Sequence, residues 1–137
     1  MSIQVQGIQQ ALKALEDYKD TKTERLEKAT QKATIDVQRD AKKNAPVDTG
    51  RLRSSIHRTS NKLNGTVFTN VEYAPYIEFG TGSEVDVPEG LEDYAMQFNG
   101  EGKRQVNIPS QPFLFTAWEK HRAEYIKSVK KILSSIR

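Results

Sequence analysis

Ile3 and Val5 alternate with Gln4 and Gln6 ahead of Gly7, and this period of two predicts a short, half-buried β-strand. From Ile8 the period lengthens. Ile8, Leu12, Leu15 and Tyr18 follow three- and four-residue steps, which places them on one stripe of an amphipathic helix from about Gly7 to Lys19. Thr21 and Glu24 then fit a capping box, in which each side chain satisfies the other's free amide, so a second helix is expected to begin there. Its stripe is Leu26, Ala29, Ala33, Val37, Ala41 and Ala45, residues mostly small enough to let another element approach closely. One straight helix over residues 8–44 would be roughly 55 Å long, against a compact domain about 35 to 40 Å across, so two helices are the better reading.

Pro46 ends the helical pattern, because the residue before proline is pushed out of the α region, and Val47-Asp48-Thr49-Gly50 reads as a turn. Two candidate strands follow, Leu52 to Thr59 and Gly65 to Val71. Asn64-Gly65 is the turn signal between them, so an antiparallel hairpin is expected. An aromatic segment, Tyr73 to Thr81, is closed by Gly80 and Gly82. Residues 83–103 are acidic and broken by Gly and Pro, which predicts a long surface loop, mobile until assembly, with one helical turn at Leu91 to Met96. Arg104 to Ile108 is a candidate last strand. Beyond Pro112, the spacing of Leu114, Trp118, Tyr125, Val129, Ile132, Leu133 and Ile136 predicts a long terminal helix, with Lys127, Lys130, Lys131 and Arg137 near its negative dipole end. The pattern as a whole predicts an α+β fold: N-terminal helices and a long C-terminal helix packed on a small antiparallel sheet, in one domain over residues 1–137.

Composition adds that the core is thin. The hydrophobic share is 36%, below the roughly 45 to 50% of an average domain even after allowing for Gly, which suits a chain that completes its burial against partners. With no Cys, disulfides, thiolate metal sites and Cys nucleophiles are excluded. No stretch approaches the roughly 18 apolar residues of a membrane span, and the start of the chain lacks a basic region followed by an apolar one; the expected location is the cytoplasm in which the chain is made.

Charge is unevenly spread. Residues 1–60 carry 12 Lys/Arg against 8 Asp/Glu, residues 61–112 carry 3 against 8, and residues 113–137 carry 6 against 2. That +4, −5, +4 balance describes either a solvated surface or a polar subunit whose acidic middle meets a basic face of the next copy.

Candidate chemistry is sparse. His57 and His121 sit in different elements and form no H-x-x-x-H pair, so no metal site is expected. The acid pairs Glu92-Asp93 and Asp17-Asp20 fall in charged segments with no burial to raise a pKa. Gly80-Thr81-Gly82 lacks the third glycine and following helix of a dinucleotide site, and no phosphate-loop motif occurs. Ser54-Ser55 and Ser134-Ser135 lack a neighbouring base or nucleophile elbow. The reading is a non-enzyme with no cofactor, metal or small-molecule substrate. The basic terminal helix leaves non-specific DNA binding as the alternative, although Glu119 and Glu124 dilute its field and no aromatic platform accompanies it.

Three segments, Ala41 to Ile56 (AKKNAPVDTGRLRSSI), Tyr73 to Thr81 (YAPYIEFGT) and Gln111 to Ala117 (QPFLFTA), occur in an order and spacing that resembles the minor tail, tail completion or head–tail joining proteins of long-tailed bacteriophages and prophages. The resemblance spans nearly the whole chain apart from the acidic segment 83–103. It implies a virion structural subunit at the neck or tail end, without catalysis. Such a subunit would assemble with its own copies into a ring, sixfold as phage tails are, would meet tail-tube and neck proteins, and would pass DNA through its lumen. The motif residues expected at its joints and interfaces are Pro46, Asp48, Thr49, Gly50, Arg51, Leu52, Tyr73, Tyr76, Glu78, Phe79, Gly80, Thr81, Pro112 and Phe113. Gly50 is expected to take a positive φ, Arg51 and Arg53 to face Glu78 or a neighbour, Tyr76 and Phe79 to enter the core, and Pro112-Phe113 to seat the terminal helix over Trp118.

Overall fold

The computed structural model describes residues 1–6, 19–47, 50–81, 86–97 and 108–135. The expected helix from Gly7 to Lys19 falls almost wholly outside these residues, as does most of the candidate strand Arg104 to Ile108. In chain order the elements are β1 (Ser2–Gln6), α1 (Lys19–Asn44), α2 (Arg51–Ser54), β2 (Ile56–Asn61), β3 (Asn64–Thr69), α3 (Ala74–Phe79), α4 (Glu92–Met96) and α5 (Leu114–Ser134). The fold is α+β. Its three strands form an antiparallel sheet in the order β1-β3-β2, and the register pairs Ile3 with Val67 and Arg58 with Val67 on either side of the central strand.

Strand alternation decides which face meets α1. Gly65, Val67 and Thr69 of β3 are buried, while Asn64, Thr66 and Phe68 between them are exposed or half-buried. Val37, Ala41 and Ala45 of α1 and its C-terminal end join Val67, Ile56, Leu52, Phe113, Leu114 and Ala117 in the main core cluster. Thr30 and Thr34 bring α1 close to the sheet at Gly65: a Cβ there would overlap Thr34 Cγ2 and lie 3.4 Å from Thr30 Cγ2. The two buried hydroxyls are satisfied within the helix, Thr30 donating to the Leu26 carbonyl (3.0 Å) and Thr34 to that of Gln31 (2.8 Å).

Helix α5 runs antiparallel to α1. Lys32 meets Glu124 at 3.4 Å, the Thr30 and Tyr125 hydroxyls lie 3.1 Å apart, and Lys22 donates to the carbonyls of Ile132 (3.4 Å) and Ser135 (3.1 Å) and to the Ser135 hydroxyl. Lys22 thus serves the carbonyls that end α5, where a cation is favoured. A second, smaller cluster of Leu26, Leu63 and Val129 closes this end.

Several sequence expectations shift. The chain is already helical at Lys19, so Thr21 and Glu24 lie inside α1 and form no cap; Glu24 instead pairs with Lys28 at 2.6 Å, one turn on. Ala29 is only half-buried and Thr30 and Thr34 take the sheet-facing positions. Leu52 to Ser54 is a helical turn rather than the start of a strand, because Gly50 at φ 76° redirects the backbone and the Ser54 and Ser55 amides bond back to Gly50 and Arg51 (both 3.0 Å). The hairpin turns at Lys62-Leu63, with Lys62 at φ 52°, and Asn64-Gly65 belongs to β3. Burial of Leu63 and the close approach of Gly65 to α1 fix that register more strongly than the local turn signal. The helical turn within the acidic segment and the long terminal helix occur as expected.

A candidate assembly interface built from three motif segments

The first motif segment leaves α1 at Asn44, passes the buried Ala45 and half-buried Pro46, and re-enters at Gly50. Asp48 and Thr49 lie outside the described residues. The positive φ of Gly50 places Leu52 in the core at 4% exposure and leaves Arg51 and Arg53 at the surface. Arg51 lies over the ring of Tyr73, 5.9 Å from its centroid, in a cation–π contact that ties the first segment to the second. Arg53 donates to the carbonyl of Ala45 at 3.4 Å.

The second segment is α3 with its flanks. Tyr73 caps it, its carbonyl accepting from Tyr76 (3.1 Å) and Ile77 (3.3 Å), and Gly80 ends it at φ 78°. Phe79 is buried and meets the edge of Tyr94 at 6.3 Å, so α4 is held against α3. Thr81 and Ile108 exchange two bonds of 2.9 Å, one through each amide. Tyr76 is half-buried, not a core residue, because α3 turns Ala74, Pro75, Glu78 and Phe79 inward and so carries Tyr76 to its flank.

Glu78 joins the second segment to the third. Its side chain is buried, with the residue at 2% exposure, and its carboxylate accepts the amides of Phe113 (2.9 Å), Leu114 (3.0 Å) and Phe115 (2.7 Å). These are the orphan donors at the start of α5, so α3 supplies the cap that α5 does not provide for itself. Burial pushes the Glu78 pKa above the usual carboxylate value against the opposing pull of the three amides. The Ile77 carbonyl accepts the Gln111 amide (2.8 Å) and the Glu78 carbonyl the Ser110 hydroxyl (2.7 Å). Phe113 is fully buried, and Pro112 before it is exposed. Trp118 is half-buried at the margin of the core cluster, where it lines an apolar cavity of about 320 Å3 with Met1, Phe79 and Tyr94. Of the two partners expected for Arg51 and Arg53, Glu78 or a neighbour, Glu78 is not met: it accepts amides, while Arg51 lies over Tyr73 and Arg53 donates to the Ala45 carbonyl.

The three segments therefore form one joint. Between them lies an open hollow of about 920 Å3, lined by Pro46, Gly50, Arg51, Leu52, Tyr73, Ile77, Ile108 and Gln111.

A family model of bacteriophage HK97-gp10-like tail components matches residues 9–80, just over half of the chain. The chain belongs to the HK97-gp10-like family of phage tail components. No curated protein and no solved structure matches it. The match takes in the first motif segment and the second up to Gly80; the third, which this tail component binds to the second through Glu78, lies beyond it. As a tail component the protein is a part of the virion. Among the described residues no group of His, Asp and Glu is placed to hold a metal ion, and no helix is long and apolar enough to cross a membrane.

One buried polar cluster of this tail component escaped the sequence reading. Asp40, at 6% exposure, accepts from Lys120 at 2.7 Å and lies 2.8 Å from His121 Nε2. Lys120 and then His121 hold its carboxyl well below the usual carboxylate range. The available signal was positional: His121 interrupts the α5 stripe between Leu114, Trp118 and Tyr125, and Asp40 adjoins the buried Ala41. His57, by contrast, is exposed on β2 and tilts against Phe68 at 6.0 Å.

Proposed function

We propose that this tail component is a ring-forming subunit of the neck or tail end, where it completes the tail or joins it to the head. Copies associate with one another in a ring of the sixfold symmetry of the tail. Its faces meet tail-tube and neck proteins, and its lumen passes DNA. The supporting observation is the convergence of the three motif segments on one hollow that is largely apolar and open to solvent. Such a site suits contact with a surface, since most of its lining is apolar and Arg51 is stacked on Tyr73. Joining segments through Glu78 and Arg51 gives the subunit a fixed shape, which a ring of repeated contacts requires.

The test is the mass of the purified protein by light scattering, alone and mixed with its tail-tube and neck partners. A ring mass, alone or with partners, is the expected result. A monomer indifferent to those partners, yet bound to duplex DNA with an affinity that falls steeply with salt, overturns the proposal in favour of a non-specific DNA-binding module.

A further inference from the structure

The hollow has an apolar floor and a basic edge. Leu52, Tyr73 and Ile77 line it, Arg51 is among its walls, and Val47, next to Pro46, is 60% exposed. Residues 42–53 carry four Lys/Arg against one Asp in sequence. A surface of the opposite character lies on α4. Residues 86–97 contain Asp86, Glu89, Glu92 and Asp93, all exposed, and no cation. Met96, at 65% exposure, is the most exposed of the large hydrophobic side chains in the described residues. Ala95 is buried and the Tyr94 ring meets that of Phe79, so α4 is packed against α3 with Met96 exposed.

We infer that the hollow of one copy receives α4 of a second copy, with Met96 on the apolar floor and Glu92 and Asp93 against Arg51 and Arg53. Charge complementarity argues for this occupant. An acidic turn carrying an exposed apolar side chain fits a hollow with an apolar floor, Arg51 in its wall and exposed Arg53 two residues on, and both are present on every chain. The two surfaces share no residue, so the contact is head-to-tail. A head-to-tail contact repeats from copy to copy and closes a ring when its rotation allows. The inference rests on the ring reading above and supplies the contact that reading lacks.

The experiment compares light scattering and sedimentation of the full-length chain with three charge-reversed variants: R51E/R53E, E92K/D93K and all four substitutions together. Circular dichroism checks that each is folded. Each double variant is expected to weaken self-association at least tenfold. The quadruple variant, with its charges exchanged, should recover to within about threefold of the natural chain. A mixture of the two doubles should also recover assembly beyond pairs, because each hollow then meets an α4 of opposite charge on the other variant and the two alternate. Met96→Glu provides a second probe of α4 that leaves its first turn intact, and is expected to weaken association to a similar degree.

Natural rings with both doubles and Met96→Glu assembling normally would overturn this contact and leave the ring reading standing. Loss in the doubles without recovery in the quadruple would overturn the charge pairing. If R51E/R53E abolishes binding to the tail-tube protein while self-association persists, the hollow belongs to that partner and the inference fails. A natural chain that stays monomeric alone and with its partners overturns both readings.

Discussion

Removing the Glu78 carboxylate leaves three amides at the start of α5, those of Phe113 and Leu114 buried, without their acceptor. Hydrogen bonds to a charged group contribute about 1.5 to 3 kcal/mol each at most, and orphaned buried donors add to the loss. Glu78→Ala is accordingly expected to destabilise by about 2 to 4 kcal/mol in urea unfolding, and Glu78→Gln by less, since one oxygen still accepts. An unchanged midpoint for Glu78→Ala would mean that the cap is dispensable. Gly65 makes a different demand, for space and not for polarity. Gly65→Ala should cost about 1 to 3 kcal/mol by overpacking, and Thr34→Ser, which removes the methyl a Cβ would strike, should recover much of it. A double-mutant cycle with no coupling between the two positions would rule out that contact. Neither role was legible locally. Glu78 stands in a motif whose order and spacing were readable, but its partners are 35 to 37 residues away, and Gly65 looked like a turn residue until β3 was laid against α1.

Between elements, the α1–α5 seam carries a series of polar contacts, and Asp40 forms the one nearest the start of α5. A carboxyl whose pKa in the folded state lies below its unfolded value of 3.8 stabilises the fold above that value. This contribution is lost as pH falls from about 4 towards the folded value. Thermal stability should therefore decline through this acid range, and Asp40→Asn should flatten that part of the profile. At neutral pH the same substitution should cost about 1.5 to 3 kcal/mol, because Lys120 and His121 lose an anionic partner. Glu78 acts in the opposite sense, its raised pKa making its contribution greatest below 4.5, so the Asp40 effect is read as the difference between variant and natural protein. A profile that Asp40→Asn leaves unaltered would show the cluster to be electrostatically idle. Sequence periodicity predicted both helices of this seam but not the buried acid, because a carboxylate within a helical stripe is visible only when the facing helix supplies its cations.

For the molecule as a whole, the alternation of basic, acidic and basic stretches becomes a spatial arrangement: an acidic α4 on one cavity and Arg51 on another. If copies associate through opposite charges, their association must weaken with salt. Raising ionic strength from about 50 mM to about 500 mM shortens the screening length from roughly 14 Å to roughly 4 Å. The average mass by light scattering is expected to fall across that range at fixed protein concentration. Association that strengthens with salt would point to an apolar contact alone.

Hydrophobic periodicity and local turn signals in the sequence determined that β1, the hairpin, α1 and the terminal helix would exist, since these patterns depend only on neighbours along the chain. The order of the three motif segments was likewise enough to point to a phage tail component, and the family match over residues 9–80 agrees. Only the tertiary structure decided the hairpin register, the helical turn after Gly50, the half-burial of Tyr76 and Trp118, and the partners of Asp40 and Glu78. Those features are settled by contacts between residues far apart in sequence. There, burial of Leu63, close approach at Gly65 and unsatisfied amides at the start of α5 outweigh local preference, because each involves more free energy than the propensity it overrides.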